Sequence, residues 1–94
     1  MALLDDQAVA AALAGGLAWA REGDALVKTV KGADFAAALA FVNAVGARAE
    51  AVNHHPDIDI RWNRVTLRLS THSAGGITAQ DLALAAEIDA LGTG

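Results

Sequence analysis

The chain contains no cysteine and no tyrosine, and it has only one proline, one methionine, two tryptophans and two phenylalanines. Without cysteine it can form neither a disulfide framework nor a thiolate metal site. Basic residues are also scarce: seven Lys and Arg stand against eleven Asp and Glu, so the formal net charge is −4. Nucleic acids and anionic membranes bind basic surfaces, so we expect neither as the main partner.

Long apolar stretches are missing as well. No segment reaches the roughly 18 unbroken apolar residues that cross a bilayer. The first residues, Met1–Asp6, lack the basic region and the apolar run of a secretory signal. We therefore expect a soluble, cytoplasmic protein that does not bind a membrane.

The length of the chain predicts a single domain over residues 1–94. The hydrophobic share is 54%, but 24 of those residues are alanines. Alanine favours helix and buries little area per residue. We therefore expect a modest core that association of subunits supplements.

A helix and a hairpin are predicted in the N-terminal part. Asp5 or Asp6 can cap the helix, and Gly15–Gly16 would end it. Two short strands are then predicted over Leu17–Arg21 and Ala25–Val30, on either side of a Glu-Gly-Asp turn.

The longest helix is predicted to begin after the cap residue Asp34 and to finish by His55, because Pro56 disfavours helical geometry in the residue before it. Apolar residues recur in it at three- and four-residue steps, which predicts one buried stripe. The stripe consists of Phe35, Ala38, Leu39, Val42, Val45, Ala49 and Val52. Gly46 interrupts this helix, and a tight contact with another helix would explain it.

Strict alternation of apolar and polar residues predicts a second hairpin, with strands over residues 57–62 and 65–70 and a turn at Asn63–Arg64. Its inward residues would be Ile58, Ile60, Trp62, Val65, Leu67 and Leu69. Thr78 and Asp81 have the spacing of a capping box, which begins a last helix running through Leu91, and Gly92–Gly94 would be a frayed tail. The order α-β-β-α-β-β-α predicts an α+β fold, an antiparallel sheet with helices on one side.

All three histidines lie at predicted element ends. His54 and His55 follow the long helix, and His72 ends the last strand. Residues near 57 should lie opposite residues near 70, so the hairpin brings His72 back towards the other two. The helix C-terminus and Glu50, four residues before His54, favour the charged imidazolium. This cluster predicts general acid–base catalysis.

Two other interpretations of the histidines remain open. They could form a three-histidine metal site, but adjacent histidines rarely chelate one ion and no predicted helix carries a His pair at i, i+4. They could also lie in loops without a common role. The predicted convergence and the nearby carboxylate favour a functional site, and no metal is expected.

The spacing resembles the signature of the pterin-4a-carbinolamine dehydratases. It reads Glu50, three residues, His54-His55-Pro56, five residues, Trp62, nine residues, His72, eight residues, Asp81. The resemblance spans nearly the whole chain, since it also covers Trp19, Gly23–Asp24, Asp34–Phe35, Phe41–Val42, Ala49–Glu50 and Gly75–Thr78.

The resemblance implies a four-stranded antiparallel sheet with three helices packed on one face, in a homodimer or homotetramer. It implies dehydration of 4a-hydroxytetrahydropterin to quinonoid dihydropterin and water, which recycles the cofactor of aromatic amino-acid hydroxylases. It also implies that the reaction needs no metal and no cofactor.

By the same resemblance, His54, His55, His72 and Glu50 are the catalytic residues, with His54 and His72 nearest the 4a-hydroxyl. His55 would bind the ring and Glu50 would set the histidine charge. The pterin would be bound by two segments, consisting of Asn53, His54 and His55 and of Ser70, Thr71, His72 and Ser73. Asp81 and Trp19 would support the site.

For several side chains the sequence allows two different structural or functional roles. Asp81 could cap the last helix or contact His72. Trp62 could stack on substrate, although a core position is favoured for an aromatic residue in a strand. Trp19 could stack on the pterin or fill the sheet face. A solvated face is expected for Arg61, Arg64 and Arg68.

Rival functions are binding roles and hydrolysis. Relatives of this fold act as a dimerisation partner of an animal transcription factor and as assembly factors for a carbon-fixing enzyme. The assembly factors tend to lose the full histidine set, which this chain retains, so the enzyme is favoured. A metal-dependent hydrolase is disfavoured by the missing acidic and i, i+4 ligands.

Overall fold

A computed structural model describes residues 2–91 of the chain. The elements are α1 (Asp6–Ala14), β1 (Ala20–Glu22), β2 (Ala25–Lys31), α2 (Phe35–Val52), β3 (Asp57–Arg61), β4 (Arg64–Leu69) and α3 (Ala79–Ala90). This order confirms the predicted α-β-β-α-β-β-α arrangement. The tail predicted at Gly92–Gly94 lies outside the described residues.

The four strands form one antiparallel sheet in the order β1-β2-β4-β3. Alternate residues of the two central strands are buried on one face, and all three helices contribute to the same core. That core includes Val9, Leu26, Val30, Val45, Val65, Leu67, Leu69, Leu84 and Ile88. The predicted fold, a four-stranded sheet with three helices on one face, is confirmed. The arginines predicted on the solvated face, Arg61, Arg64 and Arg68, are exposed.

The predicted helix caps are present. The side chains of Asp5 and Asp34 accept hydrogen bonds from the third residue after each, at 2.8 Å, and so begin α1 and α2. Thr78 and Asp81 form a reciprocal capping box at the start of α3. A cap of this kind contributes about 1 kcal/mol, so these polar residues define where each helix begins.

The buried stripe of α2 differs from the prediction. Ala38, Phe41, Val45 and Ala49 are buried, whereas the predicted core residues Phe35, Leu39 and Val52 are 42%, 41% and 42% exposed. Two neighbouring stripes of this alanine-rich helix share the three- and four-residue spacing, and the one containing Phe41 faces the sheet. The tight helix contact that would explain Gly46 is not present within residues 2–91, where a Cβ at this position would meet no atom within 4 Å.

By length and composition α2 could cross a membrane, with a mean hydropathy of 1.4 over its 18 residues. Its buried residues belong to the core against the sheet. Core helices of soluble proteins pass the same test of length and composition, so this one helix is weak evidence for a membrane span.

Both hairpins are shifted from their predicted bounds. β1 begins at Ala20 rather than Leu17, and β2 extends to Lys31. In the second hairpin Arg61 pairs with Arg64, so the turn is Trp62–Asn63. Residue 57 consequently pairs with residue 68 rather than with residue 70.

Trp62 is not an inward strand residue. It is 67% exposed, has a φ of +54° and stacks on the ring of Phe35 at 6.4 Å. Ile58, also predicted inward, is 39% exposed on the edge strand. Positive φ at the first turn residue is usually supplied by glycine, so the sequence carries no signal for this turn. Two hydrogen bonds between Asn63 and Gly32 hold the turn against the loop before α2.

Candidate active site

The end of α2 determines where the first two histidines lie. Asn53 caps the helix in the left-handed conformation, with φ 51° and ψ 47°. Asparagine tolerates this conformation better than most residues. The following N–H, from His54, donates to the carbonyl of Ala49 at 3.1 Å. The chain therefore turns away from the helix axis before the histidines.

This turn changes the partner predicted for Glu50. Because the helix ends at Val52, His54 does not continue the helical face of Glu50. The carboxylate of Glu50 is hydrogen bonded to Nε2 of His55 instead. Both side chains of this pair are largely exposed, at 52% for His55 and 78% for Glu50.

His54 is paired with a different carboxylate. Its Nε2 lies 2.5 Å from Oδ1 of Asp81, and its side chain is only 11% exposed. Asp81 is fully buried at the start of α3. Asp81 was predicted either to cap the helix or to contact His72, and it caps the helix while binding a different histidine.

The second oxygen of Asp81 accepts two further hydrogen bonds. Oδ2 lies 2.8 Å from the hydroxyl of Thr71 and 2.9 Å from the backbone N of Thr78. The two threonine hydroxyls are 2.8 Å apart, and both threonines are buried. One carboxylate therefore joins three separate parts of the chain: the end of α2, the end of β4 and the start of α3.

His72 follows Thr71 directly and is exposed in a turn over residues 72–75. An isolated bridge between Thr71 and Gly76 closes this turn. Within residues 2–91 the His72 ring forms no hydrogen bond, so its segment is connected to His54 through Thr71 and Asp81 rather than through the imidazoles themselves. Ser73 is exposed beside it, and Ser70 is partly buried.

A groove with a volume of about 90 Å³ opens beside His54, between the end of α2 and α3. Its lining residues are Val52, His54, Gln80, Ala83, Leu84 and Glu87. Those from α3 recur at i, i+3, i+4 and i+7, a helical face that the sequence contains but that carries no chemical motif. The groove does not include His55 or His72, so the predicted residues do not all line one cavity.

Trp19 occupies the sheet face. It is 7% exposed, and its Nε1 donates to Asp89 of α3 at 2.9 Å. The ammonium of Lys28 forms an ion pair with the same carboxylate. Burial tends to raise the pKa of Asp89, but hydrogen bonds from Lys28 and the Ala18 N–H, together with the Lys28 charge, outweigh it and lower this pKa.

No three His, Asp or Glu side chains in the described part of the chain are arranged to hold a metal ion. The chemistry that the arrangement offers is proton transfer, because a histidine ring can donate or accept a proton and Nε2 of His54 is held by the Asp81 carboxylate. Fold and site together define a small α+β protein in which a partly buried histidine pairs with a buried aspartate at the junction of two helices and a strand.

The chain belongs to the pterin 4 alpha carbinolamine dehydratase family, whose model matches residues 2–91. It is 52% identical to a protein of Nocardia farcinica over 95% of this chain and 94% of that one. It is 55% identical to a protein of Mycobacteroides abscessus over 95% of each. Both relatives are provisionally named pterin-4-alpha-carbinolamine dehydratases.

Two solved structures share the fold. A transcriptional coactivator/pterin dehydratase from Brucella melitensis superposes with a TM-score of 0.89 and 30% identity, over 97% of this chain and 98% of that one. A pterin dehydratase-like protein described as a RuBisCO assembly factor in the alpha-carboxysome superposes with a TM-score of 0.64 and 26% identity, over 81% and 88%.

Proposed function

We propose that the protein is a 4a-hydroxytetrahydropterin dehydratase that works by histidine acid–base catalysis. Membership of the dehydratase family supports this function. The observation that carries it is the pairing of His54 with the buried Asp81, because it gives the cluster an imidazole whose charged form has a fixed counter-charge.

The reaction needs one proton donor and one proton acceptor. Hydroxide is a poor leaving group, so an imidazolium protonates the 4a-oxygen as the C–O bond breaks and water leaves. The N5 lone pair forms the new C=N bond, and the ring then gives a proton to a neutral imidazole. We assign these two roles to His54 and His72, without choosing between them. His55 binds the ring, and its hydrogen bond to Glu50 orients the imidazole.

The flat edge of the pterin requires hydrogen-bond donors in a fixed turn. The backbone N–H groups of His72 and Ser73 donate to no backbone carbonyl within residues 2–91 and are therefore free to bind it. Asn53 and Ser70 flank the same region in our proposal. Thr71, whose side chain is buried against Asp81, supports the site from behind.

Assembly and location are further parts of the proposal. Within residues 2–91, six large apolar side chains remain exposed on the surface of the subunit, namely Leu3, Phe35, Leu39, Val52, Ile58 and Trp62. Burying them would strengthen a small core, which supports a homodimer or homotetramer. We place the protein in the cytoplasm, where it would serve an aromatic amino-acid hydroxylase.

The test is the rate of dehydration of hydroxylase-generated 4a-hydroxytetrahydropterin, followed by ultraviolet absorbance. We expect the wild type to exceed the buffer rate and both His54→Ala and His72→Ala to lose at least about 100-fold, the size of one acid–base contribution. Asn43→Ala, on the exposed side of α2, is the control and should retain wild-type activity. Circular dichroism checks that all variants are folded.

A non-catalytic binding role is the second candidate. It is favoured by the likeness to the structure described as a RuBisCO assembly factor and by the apolar side chains on the surface. A folded wild type that is no faster than buffer would contradict the dehydratase and favour this role.

A further inference from the structure

We propose that Thr71 and Thr78 are positioning residues which, through Asp81, hold His54 in a single tautomer with Nε2 protonated. Nδ1 is then the nitrogen that exchanges a proton with a ligand. The role of Nδ1 in catalysis rests on the proposed function, whereas the tautomer does not.

The hydrogen bonds of the two threonines have a consistent direction. The N–H of Gln80 donates to the hydroxyl oxygen of Thr78 at 3.2 Å. The Thr78 hydroxyl is then free to donate to Thr71, and the Thr71 hydroxyl to donate to Oδ2 of Asp81. Each hydroxyl has one proton to give, and in this arrangement each gives it to one acceptor.

Both oxygens of Asp81 lie within hydrogen-bond distance of groups that can donate. Oδ2 of Asp81 accepts a hydrogen bond from the backbone N–H of Thr78, a group that can only donate. In the series of hydrogen bonds just described, Oδ2 also accepts from the Thr71 hydroxyl. Asp81 lies in the first turn of α3, where the partial positive charge of the helix stabilises an anion. A buried carboxylate supplied with these donors acts as an acceptor at both oxygens.

The protonation of His54 follows from this. Oδ1 of an ionised Asp81 can only accept, so Nε2 of His54, 2.5 Å away, carries the proton. In the part of the chain that the structure describes, Nδ1 of His54 forms no hydrogen bond, and the ring lines the groove between α2 and α3. The neutral ring therefore offers Nδ1 as a base, and the imidazolium offers it as an acid.

The test uses protein labelled with ¹⁵N at histidine. The signals of His54 are assigned by their loss in His54→Gln. In the wild type above the titration of the ring, we expect a protonated Nε2 and an unprotonated Nδ1. A dominant Nδ1–H tautomer, or an even mixture, would overturn the proposal, and this measurement needs no variant of the threonines and no activity.

Thr71→Val keeps the side-chain shape and removes the donor to Asp81. We expect the His54 signals to move towards a mixture of tautomers, and kcat to fall by roughly tenfold with little change in KM, the size of one hydrogen bond to a charged group. Thr71→Ser should restore both. Thr66→Val is the control. It removes a hydroxyl that pairs with Thr29 on the exposed face of β2 and β4, and it should change neither the His54 signals nor kcat.

The outcomes separate this proposal from the function. A loss of kcat in Thr71→Val with unchanged His54 signals would overturn the positioning role. An inactive wild type in which the Nε2–H tautomer is present and Thr71→Val disturbs it would support the positioning while contradicting the dehydratase.

Discussion

His54 and Asp81 are 27 residues apart in the chain, and their side chains meet at 2.5 Å. The contact joins the end of α2 to the first turn of α3 and places a carboxylate behind a histidine of the candidate site. Because Asp81 also caps α3, this one side chain contributes to the stability of the helix and to the orientation of the His54 ring.

Asp81→Asn should impair both properties. The amide oxygen can replace one acceptor, but the NH₂ group cannot accept from Thr71 or His54, so buried donors lose their partner. We expect unfolding free energy to fall by about 1–3 kcal/mol and kcat by at least roughly 100-fold. Urea denaturation and the dehydration assay measure the two effects. Asp59→Asn on the exposed edge strand is the matched control, and wild-type kcat in Asp81→Asn would contradict the role of the carboxylate.

Glu50→Gln should leave stability almost unchanged. Its partner His55 and Glu50 itself are largely exposed, so solvent screens the pair. We expect a change of less than about 0.5 kcal/mol in urea denaturation at neutral pH. A loss greater than about 1 kcal/mol would mean that the pair is buried in the assembled protein.

Asp89 should make stability depend on acid pH. Its folded pKa is lowered, so its contribution is complete above the unfolded value near 3.9 and disappears as the pH falls through the lower folded value. Asp89→Asn should cost about 2 kcal/mol at pH 7, and the difference from wild type should shrink on acidification below about pH 4. Urea denaturation between pH 7 and pH 3 measures this. An equal difference at both ends of the range would show that ionisation of Asp89 does not contribute.

Gly46→Ala should stabilise the protein by about 1 kcal/mol, because alanine is the better helix former and the new methyl group meets no atom within 4 Å in the subunit. Gly16→Ala is the contrasting control: Gly16 has a φ of +117°, and alanine there would be strained. Thermal denaturation compares the two. A loss of stability in Gly46→Ala would show that another subunit occupies this side of α2.

Trp62→Gly should be more stable than Trp62→Ala. Both variants lose the stacking on Phe35, so their difference reports only the backbone at φ +54°. Glycine adopts that conformation freely, and we expect an advantage of about 1 kcal/mol over alanine. Equal stabilities in urea would show that the turn relaxes to negative φ in solution.

Much of the fold could be predicted because local signals agree with the tertiary structure. Asp34, Thr78 and Asp81 are caps by residue type and spacing, and the alternation around Ile60 and Leu67 identifies a hairpin. The turn was misplaced by one residue because Trp62 occupies a position where glycine is the usual signal. The stripe of α2 was misassigned because alanine gives the sheet-facing side little contrast with its neighbour.

The sequence supplied the candidate residues of the site but not how they pair. The motif identified the histidines, Glu50 and Asp81. The i, i+4 rule then joined Glu50 to His54 on the assumption that the helix continued, and the left-handed cap at Asn53 ends it. The contact with Asp81 depends on how α2, α3 and β4 pack together, which no local pattern describes.

The double use of Asp81 has a consequence for comparing sequences. A related protein without the proposed chemistry would still be under selection to keep an acidic residue at the third position of α3, because this residue completes the capping box of the helix. Retention of this aspartate therefore says little about catalysis across such proteins. Its partner at position 54 is more informative about catalysis, because a histidine there does not cap a helix and would not be retained for that reason.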